Sequence, residues 1–330
     1  MDKNSLTKLS RDLYNNQALV YNDIPAQEAF TKIIRESMGL VEGERLNYYK
    51  WQDNKTKMFQ ILSVALDAVL PKVVTNEFDG LADTRVVAIG DKPKFTIKDN
   101  NLFKVSMVAS GTQNLVRQTQ HGTSFTVDTD WYGLATFAEF EQLANGEINW
   151  TEFVDKVAKS FVTYMGERIW EGVVKSYDVL KAGRKLDGSY DEDKLLELAQ
   201  KVSADAGGKP VAVYGTLRAL RKITKNVDKS DGDKAKFNEV GYLGKVAGLD
   251  LIALPSVYKA GTEQFLIDDN TLLILPQGEK VISIVVEGDT LMLESESMDR
   301  NDLQIEFKTM KKFGMAVAQL AHYGIYKLTA

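Results

Sequence analysis

The sequence predicts an α+β chain, and three observations carry that class. The first 72 residues are patterned as helices, the stretch from about 73 to 130 switches to strand patterning, and a helix of spine length at 149–177 leads into a run of short strands and helices. At 330 residues the chain exceeds the size at which a single core usually stops growing, so one elaborate domain or two lobes are expected. Apolar residues make up 44% and charged residues 26%, the balance of an ordinary globular protein.

Residues 1–72 read as short amphipathic helices. Asp23 is placed to cap a helix whose first turn holds Pro25, and Gly39 sits where that helix should stop. A second helix is expected from the low fifties to Leu70, ended by Pro71. Its apolar run at 59–74 is interrupted by Asp67, Pro71 and Lys72, which makes it too short and too broken to span a bilayer. The N-terminus shows no signal-peptide pattern.

Two segments, 94–108 and 122–133, are rich in Thr, Val and Phe and partly alternate, as half-exposed strands do. With the polar stretch 109–121 between them, they predict a long β-hairpin with little apolar surface of its own. A lone two-stranded ribbon is marginal in water and leaves open edges, so this arm needs a surface to lie on: a sheet of its own domain or a neighbouring subunit.

In 149–177, Trp150, Phe153, Val157, Phe161 and Tyr164 recur at helical spacing, and Asn149 with Glu152 has the spacing of a capping box. The aromatic stripe reads as core. A helix over 191–206 should stop at Gly207-Gly208, and 209–215 reads as a buried strand followed by a helix over 216–225. Short strands are expected at 264–270, 271–276 and 280–286, with a turn at Glu287-Gly288-Asp289. The alternation of Leu303, Ile305 and Phe307 with Gln304, Glu306 and Lys308 predicts one long strand over 302–318.

Residues that could carry chemistry are few. The glycines Gly241, Gly244 and Gly248 are spaced G-x-x-G-x-x-x-G and lead into strand-like residues; neither a dinucleotide loop nor a P-loop has that form, so they are expected to be turn positions. The chain has no cysteine and two histidines, His121 and His322, without companions at ligand spacing, which argues against thiolate chemistry and His/Cys metal sites. No G-x-S-x-G elbow exists, and the acidic pairs Glu294/Glu296 and Asp268/Asp269 lack the context of a catalytic site. No catalytic, cofactor-binding or metal-binding residue is assigned. The net charge of −5 argues against a protein that grips nucleic acid through phosphates. The small basic groups Lys308, Lys311 and Lys312, and Arg218, Arg221 and Lys222, read as solvated faces.

Five stretches in order, 90–118, the helix after 144–150, 209–223, 238–257 and 311–328, resemble the major capsid proteins of tailed bacteriophages, the Hong Kong ninety-seven (HK97-like) fold. The resemblance implies an N-terminal arm over 1–72 and an extended loop over 73–135. It further implies a peripheral domain of 136–206 completed by 291–318, and an axial domain of 207–290 completed by 319–330. It implies a non-enzymatic protein of the virion, made in a bacterial cytoplasm, that assembles as hexamers and pentamers of an icosahedral shell around double-stranded DNA without sequence-specific binding or a membrane. Partners would be copies of itself, a separate scaffolding protein, a portal protein and, in some relatives, a decoration protein. Some relatives crosslink Lys to Asn between subunits; Lys92, Lys94, Lys98 and Lys104 lie in the hairpin region, and nothing marks one as reactive. An encapsulin-like nanocompartment is the nearest alternative, and a cytoplasmic α/β nucleotide-binding enzyme with a ligand at the Gly215 or Gly244 turns is the alternative from another class.

Overall fold

The computed structural model describes residues 3–14, 20–21, 24–41, 43–78, 80–97, 102–108, 117–118, 122–225, 237, 239–294, 304–317 and 322–329. The N-terminal region is helical, with α1 (Lys3–Tyr14), a short ladder of β1 (Val20–Tyr21) and β2 (Ile24–Pro25), α2 (Ala26–Ser37) and α3 (Tyr48–Glu77). Next along the chain are β3 (Ala82–Val87), β4 (Lys94–Ile97), β5 (Thr123–Thr126), β6 (Asp130–Glu139), α4 (Phe140–Asn145) and the long α5 (Trp150–Val179). Then come β7 (Lys185–Gly188), α6 (Glu192–Asp205), β8 (Val211–Thr216), α7 (Leu217–Thr224), β9 (Lys245–Val246) and β10 (Leu249–Leu254). The described chain closes with β11 (Thr271–Pro276), β12 (Ile282–Glu294), β13 (Gln304–Val317) and β14 (Gly324–Leu328).

These elements form two compact units. The first comprises residues 1–93, 127–165 and 284–315. Its sheet has the order β3-β12-β13-β6, and β13 pairs antiparallel with β6 so that Phe307 stands opposite Thr136 and Phe313 opposite Asp130. The aromatic stripe read from the sequence is its core. Trp150 and Phe153 of α5 pack on Phe307 with ring centroids 6.1 and 5.7 Å away, and Phe59 of α3 meets the same ring at 5.9 Å. Farther along the stripe, Phe161 meets Phe313, which in turn stacks on Tyr132 at 4.3 Å. Such clusters bind through dispersion and edge-to-face electrostatics beyond simple area burial. The Asn149 side chain accepts the Glu152 amide at 3.2 Å, so half of the expected capping box forms.

Helix α3 departs from expectation, because it runs unbroken through Pro71 to Glu77. The proline removes one helix hydrogen bond and costs about 3 kcal/mol. Leu70, Val73 and Val74 around it are fully buried, each contributing about 1.5–3 kcal/mol, so packing wins. The helix is by length and composition long enough to cross a bilayer, and Met58, Leu62, Leu66 and Val69 bury that apolar face inside the unit. Helix α2 begins two residues later than predicted, with Pro25 and not Asp23 at its N-cap, and Gly39 follows its end at φ 73° as expected; Asp23 lies outside the described residues.

The expected turn at Glu287-Gly288-Asp289 does not exist. Strand β12 runs through it, with Ile284, Val286, Thr290 and Met292 buried. Gly288 takes φ 65°, and a Cβ there would lie 2.2 Å from Ile89 Cγ1. An isolated glycine inside a strand marks a bulge or a close approach, and here it is the latter. Among the described residues the ladder of the expected hairpin is short: β4 pairs with β5, Lys94–Ile97 with Thr123–Thr126, and β6 instead joins β13. The half-buried alternation of 130–139 finds a long, equally alternating partner there, which a four-residue strand cannot offer.

The second unit comprises 94–126, 166–283 and 316–330. Its main sheet has the order β7-β14-β11-β8-β10-β9, with β8 parallel to β10 and β14 parallel to β7. Helices α6 and α7 cover it, placing Leu198, Val202, Leu220 and Ile223 against Val213, Leu272 and Ile274. Asp191 caps α6 by accepting the Asp193 and Lys194 amides, and Gly207 and Gly208 come after it in left-handed conformations, as their position predicted. The strand–helix step β8–α7 is as read, whereas 264–270 is irregular apart from one Tyr258–Phe265 bridge.

Candidate assembly surfaces

The glycine stretch is a set of backbone turns. Ala247 and Gly248 take φ 48° and 83° between the antiparallel β9 and β10, the two positive values that a tight two-residue hairpin requires. Gly241 takes φ 87° and its amide donates to the Phe237 carbonyl at 2.9 Å. Gly244 departs from expectation: it is not left-handed, and a Cβ there would meet open space. Gly248 leads directly into strand β10 and not into a helix.

The other sequence candidates are separate from one another. Asp268 accepts the Asn270 amide at 3.2 Å, a local bond of a turn, whereas Asp269 accepts the hydroxyl of Thr216, at the end of β8, at 2.7 Å. His322 Nδ1 lies 3.5 Å from Arg184, which is itself bonded to Asp205 at 2.8 Å. His121, Glu296 and Lys98 lie outside the described residues, and Glu294 ends β12. Lys92 pairs with Asp128 at 3.2 Å on the surface, Lys94 stands in β4, and Lys104 and Gln118 exchange two backbone-to-side-chain bonds. Among the described residues, no group of three or more His, Asp or Glu is placed to hold a metal.

The structure brings together charges that the sequence left apart. Lys311 and Lys312, expected on a solvated face, are neighbours on β13 and point to opposite faces of the unit-one sheet. Lys311 is 2% exposed; its ammonium donates to Asp67 Oδ1 and to the Gly288 carbonyl, both at 2.7 Å, while Thr290 donates to the same carboxylate from its amide and hydroxyl. Lys312 donates to Glu287 Oε1 at 2.8 Å. Glu287 is 3% exposed and also accepts the Gly90 amide at 2.7 Å and the Thr129 hydroxyl. The Lys312 bond first, then the Thr129 and Gly90 bonds, hold its pKa down at about 2 against the opposing effect of burial. The sequence carried one clue to this cluster, a carboxylate directly after the mostly apolar run of 281–286.

Apolar side chains reach solvent in patches. In the segment between β4 and β5, Leu102, Val105 and Met107 are essentially fully exposed, where the sequence had read little apolar surface. In unit one, Trp131 and Phe137 of β6 and Leu291 and Leu293 of β12 are exposed on a sheet whose other face is core. In unit two, Tyr258 and Phe265 stack at 4.8 Å on the surface. Patches of this kind mark interaction sites more often than they occur by chance on a monomer.

A family model described as "SPbeta prophage-derived putative capsid protein YonB" matches residues 22–327. No curated protein matches. Solved structures with the same fold include the capsid of a native GTA particle, at 13% identity and TM-score 0.54, covering 78% of this chain and 91% of that one. The mature capsid of bacteriophage PhiM1 aligns at 13% identity and TM-score 0.51, covering 76% and 86%. The capsid of cyanophage P-SCSP1u aligns at 12% identity and TM-score 0.51, covering 76% and 88%. At such identities the likeness is one of fold, and the fold is the HK97-like capsid fold.

Proposed function

Since the chain belongs to the YonB family of prophage-derived capsid proteins, we propose that it is the major subunit of a phage shell, closing on copies of itself as the hexamers and pentamers of an icosahedron around double-stranded DNA. The observation that carries this is the β4–β5 ribbon. Among the described residues each strand has four residues, the two form a sheet of their own, and the segment between them exposes Leu102, Val105 and Met107. Such a ribbon is marginal by itself and gains stability by lying on another subunit. Closed symmetry then multiplies many modest contacts into a durable shell.

On this reading the extended loop is 94–126, narrower than the 73–135 expected, because β3 and β6 belong to the unit-one sheet. Unit one, with the N-terminal helices, acts as arm and peripheral lobe; the sheet and helices of unit two act as the axial lobe around the five- and sixfold axes. The protein does no catalysis, resides in the virion after assembly in the host cytoplasm, and works with scaffolding and portal proteins.

The test is expression of the chain, alone and with a candidate scaffolding protein, and imaging of the product by electron microscopy. Hollow shells or five- and sixfold rings support the proposal; a monomer at all concentrations overturns it. Purified shells holding protein cargo in place of nucleic acid replace the phage reading with the nanocompartment one.

A further inference from the structure

Among the described residues, Glu287 is the one buried carboxylate. Burying a charge costs several kcal/mol, and a buried ion pair is often no more stabilising than apolar residues of the same volume. Its place in the fold therefore calls for a geometric reason, and its partners supply one. Gly90 lies just before Pro93, where the chain leaves unit one; Thr129 lies just after Val127, where it returns. Lys312 anchors the carboxylate to β13. Two glycines let these backbones close up: Gly288 against Ile89, and Gly314, where a Cβ would lie 2.0 Å from the Asp128 carbonyl oxygen. The neighbouring Lys311–Asp67 pair joins β13 to helix α3 and bonds to neither connection.

We infer that Glu287 is a positioning residue for assembly: it ties the outgoing and returning connections of segment 94–126 together, so that the segment is offered to a second copy of the chain with its root already fixed. The inference rests on the assembly reading above. A loosely rooted segment must be ordered at the moment of contact, and that ordering subtracts from every one of the repeated contacts in a shell.

The test compares Glu287→Gln and Thr129→Val with Asp67→Asn as the control that breaks the neighbouring pair. Three quantities are measured: hydrogen exchange of dispersed subunits over 88–93 and 127–130, the unfolding midpoint, and shell yield per folded subunit by sedimentation and microscopy. Glu287→Gln and Thr129→Val are expected to raise exchange at both connections about tenfold and to lower shell yield at least threefold. Asp67→Asn is expected to lower the midpoint while shell yield per folded subunit stays within about twofold. If the first two variants assemble like the unaltered chain, or if Asp67→Asn loses assembly in the same proportion to its lost stability, the inference is overturned. Should Glu287→Gln fail to fold, Thr129→Val, which replaces a single hydroxyl by a methyl group, decides the matter. If the unaltered chain forms no shells, the assembly reading fails, and the exchange comparison still reports whether Glu287 fixes the two connections.

Discussion

Replacing Gly314, a buried position of β13, by alanine should be far more damaging than the addition of one methyl group suggests. A Cβ built on Gly314 lies 2.0 Å from the Asp128 carbonyl oxygen, 2.9 Å from its carbon and 3.1 Å from the Thr129 Cα. These are backbone atoms, so no side chain can rotate aside; reaching even a tight 3.0 Å contact demands that β13 and the connection at 127–129 part by about 1 Å. Overpacking of this kind costs about 1–3 kcal/mol. The displaced residues precede and include Thr129, so the Thr129–Glu287 bond, a charge-assisted one worth about 1.5–3 kcal/mol, is weakened as well. Together these give roughly 2–4 kcal/mol, or a fall of roughly 5–10 °C in Tm for a unit of this size. Urea and thermal unfolding of dispersed subunits, monitored by circular dichroism, measures it. Gly244→Ala is the contrast: its Cβ meets open space and its φ is not left-handed, so stability should stay level or rise by up to about 1 kcal/mol through the unfolded state. A Gly314→Ala protein within about 0.5 kcal/mol of the unaltered chain would refute the packing argument.

Phe307→Ala removes a ring that touches Phe59, Trp150 and Phe153, and should cost about 3–5 kcal/mol in the same denaturation assay. Glu287 has its folded pKa lowered from 4.5 to about 2, so its contribution is fully present above about pH 4.5 and is lost as pH falls through about 2. The acid limb of a stability–pH curve should therefore flatten in Glu287→Gln, by at most about 3 kcal/mol between those limits. An unchanged limb would show that the carboxylate is not held as described. Replacing Leu102, Val105 and Met107 together by serine should leave the unfolding midpoint of the dispersed subunit within about 1 kcal/mol, because these side chains are already in water, while sharply reducing shell yield. A large loss of subunit stability instead would mean that the segment folds back on its own chain.

What the sequence disclosed and what it concealed divide by the range of the interactions involved. Trp150, Phe153, Phe161 and Phe307 announce themselves because burial on one face imposes a period of 3.6 or 2 on neighbouring residues, and the capping residue Asn149 acts over three positions. Pro71 misled because its local penalty is visible in the sequence while the burial that outweighs it is supplied by other elements. Gly288 misled for a related reason: Glu-Gly-Asp has the composition of a turn, yet the glycine answers to the approach of Ile89, which lies 199 positions earlier. Lys311 and Lys312 show the limit most clearly. Adjacent lysines on a strand read as a solvated pair, but one reaches Asp67 and the other Glu287 through opposite faces of the sheet. Each long alkyl stem lies within the protein while its ammonium meets a carboxylate, an arrangement only the assembled sheet can create. The same argument extends to the candidate assembly surfaces. Their apolar side chains reach solvent instead of the core of either unit, so on the assembly reading their meaning lies in contacts between chains, one level of organisation beyond anything local sequence patterning encodes.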